Sequence, residues 1–180
     1  MPNWCENVVY FKHADRNMLD KLKNAFDAGN PFSTFVPIPE ELRDIDKTYS
    51  ANEDEMKECN EKVGELEKRY GYGTNYDFAC GEWGTKWEPD DDFHEAEFID
   101  DKEIVVVFNT AWSPPTAFYQ HLIDDYGFKV TAYYEELGYG FVGCFENGEE
   151  SCYYRETFDS IPVDIIENLG LDREYYESFF

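Results

Sequence analysis

The chain opens on an apolar-rich stretch, Trp4 to Phe11, that predicts a first strand. Asp15 then stands in N-cap position ahead of Met18, Leu22 and Phe26, which are spaced four apart and predict a helix stopped by Gly29 and Pro31. Pro31 to Pro39 is proline-interrupted and apolar, and reads as an extended, packed connector. Ser50 and Glu53 have capping-box spacing. Met56, Cys59, Val63, Leu66 and Tyr70 recur at steps of three and four, so a second helix runs to about Tyr70 and is read as half of a helix hairpin packed on the domain. Trp83-Gly84-Thr85-Lys86-Trp87 reads as a short strand, and the apolar run Ile104 to Asn109 as a central strand. Ser113 reads as the cap of the next helix, with proline in its first turn and Phe118, Leu122, Ile123 and Tyr126 facing inward as far as the Gly127 stop. Lys129 to Glu136 and Tyr139 to Phe145 pair as strands. Asn147-Gly148 supplies a two-residue hairpin into Ser151 to Phe158. A short helix from Ser160 to Leu169 and an aromatic terminal turn complete the pattern.

Without the helical insertion, that order is β-α-β-β-α-β, the ferredoxin-like arrangement. The fold class expected is therefore α+β: a ferredoxin-like antiparallel sheet with two covering helices, a helical insertion and an extra C-terminal hairpin and helix. The chain is read as one decorated domain over 1–180, with the insertion at about 40–72 and an acidic extension at about 146–180.

The 180 residues carry 40 acidic and 15 basic side chains, a formal net charge of −25. Residues 1–87 hold 17 acids and 11 bases, residues 88–180 hold 23 and 4, so −19 of that charge lies in the second half. The densest run, Glu88 to Glu103, has nine acids against Lys102 alone. This excludes direct binding to nucleic acid or an anionic membrane, which need a basic face. With 18% aromatic residues the chain is also unlike a disordered acidic tail. No apolar run approaches the ~20 residues of a membrane span, and Met1 to Glu6 has no secretory character. The five cysteines lack CxxC spacing and are odd in number. The expected setting is a reducing cytoplasm.

Four blocks carry a resemblance: Met1-Pro2-Asn3-Trp4-Cys5-Glu6-Asn7; Trp83-Gly84-Thr85-Lys86-Trp87; Thr110-Ala111-Trp112-Ser113-Pro114-Pro115; and Tyr134-Glu135-Glu136 with Gly140-Phe141-Val142-Gly143. In this order the sequence resembles the YubB-like, ferredoxin-like-domain proteins carried by phages and plasmids. The resemblance implies a fold and a mobile-element origin. It implies no activity.

Catalytic signals are weak. His121 stands beside Asp124 and Asp125 at helical spacing, which reads as a local charge contact, and His13 reads as structural. There is no phosphate loop and no nucleophile elbow, so no cofactor is expected. Asp90, Asp91, Asp92 and Glu95 offer hard oxygen ligands, with His94 among them as a nitrogen donor, but not the spacing of a calcium loop. Cys5 reads as a buried thiol. Trp4, Trp83, Trp87 and Trp112 read mainly as core.

The acidic surface is the strongest remaining signal. Asp90, Asp91, Asp92, Glu95, Glu97, Asp100 and Asp101 form one candidate patch, and Glu149, Glu150, Glu174 and Glu177 a second, with Tyr153, Tyr154, Tyr175 and Tyr176 as interface aromatics. The expected function is a non-enzymatic nucleic-acid mimic of the anti-CRISPR or anti-restriction type. Its carboxylates would occupy the cationic channel of a basic, nucleic-acid-binding host defence protein. The alternatives are a small-molecule or metal-dependent enzyme using the sheet face and the Trp83–Trp87 motif, and an accessory scaffold dimerising through the Met56–Tyr70 stripe.

Overall fold

The computed structural model describes residues 3–45, 53–90, 94–154 and 157–178. The strands are β1 (Trp4–Lys12), β2 (His94–Asp100), β3 (Glu103–Ala111), β4 (Lys129–Glu136), β5 (Phe141–Glu146) and β6 (Glu149–Tyr154). The helices are α1 (Arg16–Asp27), α2 (Pro31–Phe35), α3 (Glu40–Arg43), α4 (Glu53–Tyr70), α5 (Asn75–Phe78), α6 (Thr116–Tyr126), α7 (Val163–Leu169) and α8 (Arg173–Glu177). A π-helical turn over Ala79–Trp83 follows α5 directly.

All neighbouring strands are antiparallel, in the order β2-β3-β1-β4-β5-β6. The first four give the ferredoxin-like sheet, and β5 and β6 extend it past β4. The first strand of the chain is thus enclosed between β3 and β4, with Val9 opposite both Val106 and Ala132.

Strand alternation sends Cys5, Val9, Phe11, Ile104, Val106, Phe108, Val130 and Ala132 to one face, where all are fully buried. Helices α1, α2 and α6 cover that face with aromatic contacts. Phe26 meets Phe108 at 4.9 Å between ring centroids, and Phe32 meets Phe118 at 4.7 Å. Asn7 is buried among them but satisfied: its amide donates to the Cys5 and Phe108 carbonyls and to the Thr110 hydroxyl. Among the described residues the opposite face is covered mainly towards β4 and β5. There Val142, Phe158, Ile161, Ile165 and Tyr176 form a second cluster under α7 and α8, and the Tyr10 hydroxyl donates to Asn168 at 2.9 Å.

Several expectations change. Pro31 to Phe35 is helical, because Pro31 begins the turn and the carboxylate of Glu88 accepts from the Phe32 and Ser33 amides at 2.8 Å. Trp83 to Trp87 forms no strand: Trp83 closes the π-helical turn and its indole donates to the Val36 carbonyl. The second strand of the sheet is β2, inside the acidic run. Ser113 caps nothing; its hydroxyl donates to the Gly84 carbonyl, and α6 begins after Pro115. Helix α4 buries only Leu66 of its stripe and leaves Met56 exposed. Ser50 lies outside the described residues.

Candidate functional site

The described acidic candidates divide between the edge strand β2 with its flanking turn and loop, the edge strand β6, and helix α8. Glu95 and Glu97 are exposed on β2, on the face away from α1, two residues and thus about 6.8 Å apart along the strand. Among the described residues no cation contacts either. Asp100 and Asp101 occupy the β2–β3 turn, where Asp100 accepts the Lys102 amide and Asp101 reaches Arg16 at 3.4 Å. Asp90 is half-buried at the opposite end of β2, its amide on the Asn109 carbonyl. Asp91 and Asp92 lie outside the described residues. His94 turns to the other face of β2, towards Asp27 at 3.5 Å, so it does not share a ligand set with Glu95. Glu149 and Glu150 stand on β6, five strand spacings or roughly 24 Å away. On α8, Glu177 pairs with Arg173 at 3.2 Å and Glu174 is exposed. The two patches are therefore separate surfaces. Of the four candidate interface tyrosines, Tyr154 and Tyr175 are exposed, Tyr153 is half-buried, and Tyr176 is core.

The structure also forms a site that no single stretch of sequence announces. A cleft of about 360 Å³ opens where the α6 N-terminus approaches β4, β5 and β6 on the helix-covered face. Gly84, Trp112, Ser113, Tyr134, Tyr139, Phe141, Glu150, Cys152 and Tyr154 line it. Trp112, Tyr139 and Tyr154 are about half to two-thirds exposed, at 47%, 55% and 64%. Trp112 holds φ +73°, which costs a bulky residue energy. Its neighbours fix the turn: the Trp112 amide donates to the Asn3 carbonyl, Thr85 to the Ala111 carbonyl and Thr110 to the Ser113 carbonyl. Gly84 (φ +83°) passes so close to α6 that an added Cβ would sit 3.1 Å from the Thr116 amide nitrogen. Gly143 lies opposite Tyr134, and a Cβ there would come within 2.5 Å of the tyrosine ring. That clearance lets the Tyr134 hydroxyl donate to Glu150 at 2.7 Å. Burial, reinforced by this bond, pushes the Tyr134 pKa up and keeps it a donor. The Lys86 ammonium lies 3.9 Å from the Trp87 ring centroid and 4.1 Å from that of Trp112. Of the tryptophans read mainly as core, Trp83 is core, whereas Trp87 and Trp112 are surface rings.

Two titratable groups lie elsewhere. Glu6 and Glu135 are directly opposite on the other sheet face. Burial, and then the Glu6 charge, pushes Glu135 up to about 7, and its buried Oε2 has no hydrogen-bond partner among the described residues. Burial raises Glu6 as well. His121 contacts Asp125 at 3.0 Å, as its spacing suggested, and also Glu82 at 2.7 Å, a contact no local pattern foretells. Among the described residues no three His, Cys, Asp or Glu side chains come together as a metal centre. No helix of the described residues is long and apolar enough to cross a membrane.

The family model for the ferredoxin-like domain in Api92-like proteins matches residues 82–177, more than half of the chain. The chain belongs to the Api92-like family. The matched segment holds β2 to β6, α6 and the C-terminal helices, while β1, which lies inside the sheet, precedes it. Among solved structures the chain is similar to protein Api92 from Yersinia pseudotuberculosis, at 10% identity and a TM-score of 0.45, covering 88% of this chain and all of that one. No curated protein matches it.

Proposed function

We propose that this Api92-like chain is a non-enzymatic acidic docking protein. It engages a basic, nucleic-acid-binding host protein and blocks access to DNA or RNA, in keeping with the phage and plasmid setting that its resemblance to YubB-like proteins implies. The observation that carries the reading is β2: an edge strand with Glu95 and Glu97 on one face, no cation against them among the described residues, and Asp100 and Asp101 at its end. A row of carboxylates on a rigid strand offers a basic channel the sign of charge it is built to hold, with fast, salt-sensitive association.

Charged side chains on a free edge also prevent edge-to-edge pairing of sheets. The triple variant Glu95→Lys, Glu97→Lys, Asp101→Lys separates the two roles, since lysine protects an edge equally well. Capture of basic nucleic-acid-binding proteins from a bacterial lysate, followed by DNA-displacement assays on what is captured, is the test. The variant should stay folded and monodisperse and lose both capture and displacement. Undiminished displacement by the variant rejects the reading. The cleft beside Trp112 supports a second reading, a small-ligand site, and ligand screening by thermal shift distinguishes it.

A further inference from the structure

We propose that the cleft between the α6 N-terminus and β6 is a recognition pocket for an arginine side chain of a partner protein. This deepens the docking reading and rests on it, because it supplies the contact by which a basic partner is told from any other cation.

The chemistry of the walls selects the ligand. Trp112, Tyr139 and Tyr154 present partly exposed aromatic faces, and π faces attract cations. Lys86, already stacked on Trp112, shows that this ring accepts a cation. Glu150 supplies the counter-charge. Its Oε1 is held by the Tyr134 hydroxyl, which fixes the carboxylate, and its Oε2 has no partner among the described residues. A fixed carboxylate beside flat rings suits a planar guanidinium, which stacks and pairs in one plane, better than a compact, strongly hydrated ammonium. The volume, about 360 Å³, is at the small end for ligand sites and matches one long side chain better than a cofactor. Glu150 in the wall repels a phosphate, so a nucleotide is disfavoured on the same surface. The left-handed backbone of Trp112, held by the hydrogen bonds around it, is the kind of strained conformation found where a side chain is presented for use.

The test is calorimetric titration of the full chain with an arginine-rich dodecapeptide, its lysine counterpart and free L-arginine. Trp112→Gly removes the ring and relieves the positive φ, so the variant folds; Tyr154→Ala, at an exposed position, is the second probe. The expected result is binding of the arginine peptide that falls about tenfold in each variant. The lysine peptide should bind several-fold more weakly and free arginine weakest. Glu95→Gln with Glu97→Gln separates the two proposals. Loss of peptide binding in the cleft variants alone upholds the pocket and removes the β2 edge from the docking surface. Loss in the edge variant alone upholds the edge and overturns the pocket. Absence of arginine-peptide binding, or free arginine binding as tightly as the peptide, also overturns it.

Discussion

The two faces of the sheet are built on opposite terms. Under α1, α2 and α6 the strand positions are apolar and fully buried, and the polar groups among them, such as Asn7, are satisfied. On the other face, among the described residues, α7 and α8 cover mainly the β4–β5 side. The same strands there carry Glu6, Glu135 and Glu103, and β2 carries Glu95 and Glu97. One face makes the fold. The other spends part of its stability on charge, and a chain of net −25 can do this only because the first face is complete. The cleft lies where the helix layer stops short of β6, so it draws rigid walls from the first face and acidity from the sheet edge.

The strongest way to break this contrast is on the packed face. Phe108→Ala removes a ring touching Phe26, and should cost about 3–5 kcal/mol in urea unfolding. Ile165→Ala empties the smaller cluster and should cost about 2–4 kcal/mol at most. Hydrogen exchange would then rise in α7 and α8 while β1 and β3 stay protected. Equal exchange increases in both layers would show that the two faces unfold as one.

Glu135→Gln should act in the other direction. The folded-state pKa of Glu135 is about 7 against 4.5 for a free side chain. Its stabilising contribution is therefore complete below about 4.5 and is lost as pH rises through about 7. The amide substitution should gain on the order of 2 kcal/mol at pH 8 and nothing at pH 4, measured by thermal or urea unfolding across that range. A gain that does not change with pH would mean that Glu135 is not protonated in the folded chain.

The sequence disclosed the packed face far better than the other. β1, α1, β3, α6 and β4 follow from periodicity, because burial on one side imposes it. β2 was hidden: His94, Ala96 and Phe98 alternate with Glu95 and Glu97, but as an edge strand it buries none of them fully. Pro31 to Phe35 looked extended because the group that caps it, Glu88, is 56 residues away. Ser113 looked like a cap because Pro114 and Pro115 do not reveal where the helix will begin. The cleft had no local signature, since its walls come from residues 84, 112–116, 134–141 and 150–154. Three of the blocks that carry the family resemblance meet there, and position in the fold, not spacing in the chain, unites them.

The smallest effect distinguishes the two faces by pH. Partial burial works against protonation of His121, but its bonds to Asp125 and Glu82 outweigh this and raise its pKa above 6.5. The pairing tethers α6 to the π-helical turn. Its contribution is complete below pH 6.5 and fades as pH rises through the raised value, the same sign as Glu135 in a higher window. His121→Gln should therefore cost about 0.5 kcal/mol at pH 6, as for other solvent-accessible ion pairs, and nothing at pH 9. Combined with Glu135→Gln, it should flatten the fall in stability from pH 5 to pH 9 more than either change alone, and additively, since the two sites lie on opposite faces and share no partner. A non-additive result would show that charge on one face is felt through the sheet by the other.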